Sequence, residues 1–219
     1  MTRSNIIVDF VQNGTLLSQI LLRLKTLVFE LENDEIIRWL DCEINGYTDK
    51  DIVPSYRDIR GTVKCDIVHG FTIIQGIFLP IQYDNPHIQQ IITNHFKEST
   101  SAIEKMIKKD EGEFMTVIPV AAYPYLQEYV NGYVQNAKVV YAPYHFSDIY
   151  ASIKNKVLDI LLLLEQKCGN LDSYDLNLTD TKKQEVIPLI LNIIFHDNSI
   201  TIGNKNKIVD SHLMTQRTM

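Results

Sequence analysis

Leu17, Ile20, Leu21, Leu24, Val28 and Leu31 recur at three- and four-residue steps, the spacing of one face of an α-helix. Thr15 stands where an N-cap belongs, and Leu16, Leu22 and Phe29 widen the stripe, which predicts burial on more than one side. A shorter helix precedes it: Ser4 or Asn5 can cap "NIIVDFV", and Gly14 ends the run. Asn33 or Asp34 restarts the chain into a third helix with Ile36, Leu40 and Ile44 on one face. Asn45-Gly46 stops it, because both residue types tolerate the left-handed conformation of a helix end. The chain therefore opens with a compact helical unit.

The period then falls to two. Ile59, Gly61, Val63, Cys65 and Ile67 alternate with Asp58, Arg60, Thr62, Lys64 and Asp66, the pattern of a half-buried strand. His69-Gly70 turns the chain into a partner strand, "FTIIQGIFLPI", which Pro80 weakens near its end. "NPHIQQIITNHF" and "STSAIEKMIKK" read as helices, "FMTVIPVAAYP" as a strand or extended edge, and 125–130 as a short helix. "YVQNAKVVYAPYH" reads as the last strand of the sheet. The best helix of all is "SDIYASIKNKVLDILLLLEQKCG", capped by Ser147, lined by Ile149, Ile153, Val157, Ile160 and Leu164, and stopped by Gly169.

After Gly169 the chain turns polar. The predicted organisation is an α+β unit over 1–170, a linker and short helix bent at Pro188 over 171–192, an Asn-rich β-hairpin over 193–212, and a disordered end at 213–219. Within the first unit, the helical N-terminal part packs with a mainly antiparallel sheet and further helices. In the tail, Ile200, Ile202 and Ile208 flank a Gly203-Asn204-Lys205-Asn206 turn, which is hairpin chemistry. A lone hairpin is unstable in water. It therefore needs a partner, either copies of itself or the main domain. The first is the expectation, with those three isoleucines as the oligomerisation element of a homo-oligomer, and folding back onto its own domain is the alternative.

Composition narrows the function classes. Of 219 residues, 45% are hydrophobic and 22% charged, ordinary values for a water-soluble fold. A net charge of −6 with no long basic run argues against nucleic acid as a partner. "LVFELENDEII" is broken by acids and "VLDILLLLE" is short, so neither offers the ~20 apolar residues of a membrane span. Cys42, Cys65 and Cys168 are odd in number and form no CxxC pair, and the N-terminus makes a poor signal peptide. A cytoplasmic location with reduced thiols, and no membrane partner, is expected.

Candidate chemistry centres on Trp39 and Glu43, four residues apart and so neighbours on one helix face. One reading is an acid held beside an indole in a cleft, with its pKa raised by desolvation. The other is architectural: Trp39 packs on the helical unit while Glu43 bonds backbone or Arg57 on the returning segment. Asn45, Tyr47, Tyr56 and Arg57 complete the candidate surface, either as a ligand-facing rim or as a clamp at the helix–strand junction. His69, His87, His95, His145, His196 and His212 show no tight ligand spacing, although His87 and His95 would lie two turns apart on one helix. No metal or cofactor is expected. No GxSxG, Walker-type or Rossmann motif occurs, so no catalytic residue is identifiable. Tyrosines crowd 123–150, as they do at interfaces and in edge strands alike.

The stretches "LENDEIIRWLDCEINGY", "VPSYRDIRG" and "IKNKVLDILLLLE" resemble the AbiTii domain family of bacterial abortive-infection proteins. The matching positions are Trp39, Glu43, Asn45, Gly46, Tyr47, Pro54, Tyr56, Arg57 and Gly61. That resemblance implies a role in phage defence and transfers no catalytic residue. The expected function is a defence component working through self-assembly or contacts with a phage or defence-system protein. The alternative is a toxic effector enzyme, a nuclease or nucleotide hydrolase, with Glu43 or a neighbour as its acid.

Overall fold

The computed structural model describes residues 3–80, 85–108, 114–176 and 178–195. Helices α1 (Asn5–Val11), α2 (Leu17–Val28) and α3 (Asp34–Asn45) open the chain. Strands β1 (Asp58–Arg60), β2 (Thr62–His69) and β3 (Thr72–Phe78) follow. Next come α4 (Pro86–Ile92), β4 (Thr93–His95), α5 (Thr100–Lys108), β5 (Phe114–Val117), α6 (Tyr123–Gln127) and β6 (Tyr133–Tyr141). The long α7 (Tyr144–Cys168) and α8 (Asp180–Phe195) complete an α+β architecture.

Antiparallel pairing orders the larger sheet β3-β2-β6-β5, and β1 pairs with β4 in a separate ribbon. β6 is thus an inner strand, last in sequence only. Helix α7 lies at the centre of the helical layer, against α1, α2, α5 and α8. The strand alternation translates directly into packing: Ile59, Gly61, Val63, Cys65 and Ile67 all face the core. So does the α2 stripe, from Leu17 through Leu31. Asn33 caps α3 as its position implies, its side chain accepting from the Ile36 N–H at 3.0 Å.

Several expectations require correction. Leu16, Leu22 and Phe29 are exposed, so α2 is buried on one broad face and solvated on the other. Thr15 does not cap α2; Leu16 holds the N-cap position, and the donors are met from afar. Glu104 of α5 accepts from the Ser18 N–H at 3.1 Å and the Ser18 hydroxyl at 2.8 Å. Helix α1 is served in the same way, with Glu165 of α7 accepting from both the Ser4 N–H and hydroxyl at 2.7 Å. A carboxylate at a helix start satisfies orphan N–H groups and complements the helix dipole. These long-range bonds lock α1 and α2 to the elements that enclose them. Ser147 lies inside α7, which begins at Tyr144. The helix expected over 125–130 occupies 123–127, and α4 ends at Ile92 where the chain straightens into β4. Helix α8 runs through Pro188 to Phe195, with Val186, Ile190 and Ile194 buried. The expected hairpin residues Ile200, Ile202 and Ile208 lie outside the described residues.

Candidate functional site

Helix α3 carries Trp39 and Glu43 one turn apart, and both side chains point inward. Gly46 ends α3 at φ +93°, a conformation that L side chains rarely adopt. A Cβ there would also sit 2.9 Å from the Lys97 carbonyl oxygen. Tyr47, next in line, donates its N–H to that same carbonyl at 2.8 Å. After a surface loop, Pro54 opens a single 3-10 turn, Ser55–Arg57, that presents Tyr56 and Arg57. Gly61 follows on the core face, where a Cβ would meet Val139 at 2.3 Å and the Val140 carbonyl at 2.7 Å. Only a residue without a side chain lets β6 come so close.

These elements converge on one carboxylate. Glu43 Oε1 accepts from the Tyr47 hydroxyl (2.6 Å), the Tyr56 hydroxyl (2.7 Å) and Arg57 Nε (3.1 Å). Its Oε2 accepts from Arg57 Nη2 (2.5 Å) and the Thr100 hydroxyl (3.2 Å). The remaining guanidinium nitrogen, Nη1, donates to the Phe96 and Glu98 carbonyls at 3.1 and 2.8 Å. Trp39 Nε1–H donates to the Tyr56 oxygen at 2.9 Å. Tyr47 lays its ring 4.8 Å from the guanidinium carbon, and the Lys156 ammonium of α7 lies 5.2 Å from the Tyr56 ring. Both members of the central ion pair are 0% exposed.

The electrostatics follow from this enclosure. Burial is the main force raising the Tyr47 and Tyr56 hydroxyls above the ordinary phenol range, and the Glu43 charge adds to it. Desolvation opposes the Arg57 charge, yet Glu43 and its hydrogen bonds outweigh that and raise the guanidinium pKa. Both phenols are therefore held as neutral donors, and the arginine as a permanent cation. The carboxylate is saturated by five hydrogen bonds, with no lone pair directed at open space. Such an arrangement holds chain segments together.

Trp39, Glu43, Tyr47, Tyr56 and Arg57 thus come together, and exposed Asn45 stands outside their network. Sequence reasoning missed the strap from Phe96 to Thr100. It supplies two carbonyls and a hydroxyl to the cluster, and nothing in its residue types announces that. A groove of about 430 Å³ borders the cluster, between Trp39, Tyr47, Ile52, Pro54 and Phe195. Elsewhere, His87 stacks on Tyr125 at 4.5 Å and His95 Nδ1 lies 2.6 Å from Asp58, so they share no helix side. Among the described residues, no three His, Cys, Asp or Glu side chains cluster as metal ligands would. Burial pushes the Cys42 thiol up to about 11 and raises Cys65 likewise, leaving neither poised as a nucleophile.

The AbiTii family model matches residues 3–187, which takes in every member of the cluster. No curated protein and no solved structure matches the chain.

Proposed function

The chain belongs to the AbiTii family, which sets it in bacterial abortive infection and phage defence, and we propose that it acts there through protein contacts. The observation that carries this reading is the enclosure of Glu43 and Arg57 within their own hydrogen bonds. An effector nuclease or nucleotide hydrolase using Glu43 would need that acid to reach a substrate, and every route to it passes through packed side chains. The motif residues are then the frame, and the working parts are surfaces that the frame holds in position.

Self-assembly through Ile200, Ile202 and Ile208 belongs to the same proposal. Its test is light scattering of the full chain against a chain ending at Phe195. A cut after Asn192 would be misleading. It would remove buried Ile194 and the Ile193 carbonyl, which accepts from Lys156 at 2.8 Å. An equal subunit number for both proteins would rule out assembly by the tail.

For the motif itself, the deciding experiment is phage protection in cells expressing Glu43→Gln, with the melting temperature and soluble yield of the same protein. Protection should fall only as far as folded protein falls. A Glu43→Gln protein that melts like wild type but no longer protects would overturn the reading and restore Glu43 as a reacting group.

A further inference from the structure

The groove bordering the buried cluster has apolar walls. Trp39 gives its Nε1–H to Tyr56 and Tyr47 its hydroxyl to Glu43, so each turns its polar atom into the cluster and leaves ring carbon to the groove. Pro54 adds a ring without a donor, and Ile52 is 90% exposed. Arg38 and Asp51, which also line the groove, already pair with each other at 2.6 Å. A cleft of about 430 Å³ with these walls suits apolar side chains better than a polar ligand.

The remaining apolar wall is Phe195, half exposed and the last residue of α8, which packs against α3. Residues 196–219 therefore continue from the rim of the groove itself. His196-Asp197-Asn198-Ser199 comes first, and Asp, Asn and Ser are turn formers that let a chain reverse. Ile200 follows within roughly 17 Å of Phe195 even at full extension, and Ile202 comes two residues later. In an extended segment these two isoleucines fall on one side, about 7 Å apart, with only Thr201 between them.

We propose that this groove is the docking site of the chain's own tail, with Ile200 and Ile202 seated against Trp39, Ile52 and Phe195. The tether decides between this tail and any other. A segment fixed at the rim is present at an effective concentration on the order of millimolar, above that of a tail arriving from another copy in dilute solution. Where the tail also assembles, as proposed above, docking withholds two of its three isoleucines from neighbouring copies. That consequence, unlike the docking, rests on the assembly reading.

Trp39 is the sole tryptophan, so its fluorescence reports the groove alone. The test is acrylamide quenching of Trp39 in the full chain, wild type against Ile200→Ser with Ile202→Ser, at several protein concentrations. The tail variant should show a red-shifted and more readily quenched Trp39. Ile52→Ser should speed tryptic cleavage at Lys205 and Lys207 about fivefold or more, since cleavage tracks the released fraction and one covered apolar side chain is worth that much. The same variant should assemble at a lower protein concentration in light scattering. Equal quenching in wild type and tail variant overturns the docking, as does cleavage indifferent to Ile52→Ser. Wild-type quenching that rises on dilution overturns it too, because the occupant is then another copy's tail. If a chain ending at Phe195 keeps the full chain's subunit number while the tail variant uncovers Trp39, the docking stands and the assembly reading alone fails.

Discussion

Replacing Arg57 by Met keeps most of the side-chain volume and removes the charge and all of its donors. Glu43 would be left fully enclosed without its counter-charge and short of two hydrogen bonds, while the Phe96 and Glu98 carbonyls would each lose a donor. Breaking a buried ion pair from one side costs about 3–5 kcal/mol, because the surviving charge has lost its compensation. In a chain of this size each kcal/mol moves the melting temperature by roughly 2–4 °C, so a fall of about 6–20 °C is expected. The assay is thermal unfolding followed by circular dichroism, on wild type, Arg57→Met, Glu43→Gln and the double variant. Because the two side chains share their bonds, the double variant should cost about 1–3 kcal/mol less than the sum of the single ones. It should not return to wild-type stability, since Tyr47, Tyr56 and Thr100 would still lack their charged acceptor. An Arg57→Met protein melting within about 2 °C of wild type, or strictly additive single costs, would refute the buried junction.

Gly61→Ala should destabilise by about 1–3 kcal/mol through overpacking against β6, a change that chemical denaturation would register as a lower midpoint. Glu104→Ala should cost about 1 kcal/mol or more by uncapping α2 from a distance, whereas Thr15→Ala should be nearly silent in the same assay. The raised phenol pKa values of Tyr47 and Tyr56 make a further pH-dependent prediction. Their contribution is fully present below the pKa of about 10 of an unfolded tyrosine and is lost as pH rises above it, since the unfolded state ionises first. Ultraviolet titration should therefore show these two tyrosines ionising only together with unfolding, and early, reversible titration of every tyrosine would contradict it.

Legibility followed locality. The alternation from Ile59 to Ile67 and the stripe from Leu17 to Leu31 needed only each element's own period, and both lie on the core as spaced. Leu16, Leu22 and Phe29 misled because an apolar residue type does not say which side of a helix finds a partner. Caps misled for a different reason. Thr15 is the local candidate, but the acceptor that serves α2 is Glu104, 86 positions away from Ser18. At the junction, Arg57 was already a named partner for Glu43 on sequence grounds, since chain-turning residues bring the two segments together. The strap from Phe96 to Thr100 was invisible, because two of its contributions are backbone carbonyls, which every residue carries.

The same physics explains why this stretch looks catalytic in sequence. A Trp, a Glu, two Tyr and an Arg within nineteen positions are the residue types of a reacting centre. They are also what is needed to join three segments that lack a shared regular element. Apolar packing alone is non-directional, and a well-packed apolar replacement for a buried ion pair is often no less stable. The benefit of the polar version is geometry. A planar guanidinium that grips a carboxylate on one edge and two carbonyls on another fixes the angle between α3, the 55–57 turn and the 96–100 strap together. Gly46 and Gly61 serve the same end, each admitting a neighbouring backbone where a Cβ would collide. Catalysis would need one of these groups to keep an unmet bond for a substrate. Here the bonds of Glu43 and Arg57 are met inside the protein, and they join α3, the 55–57 turn and the 96–100 strap.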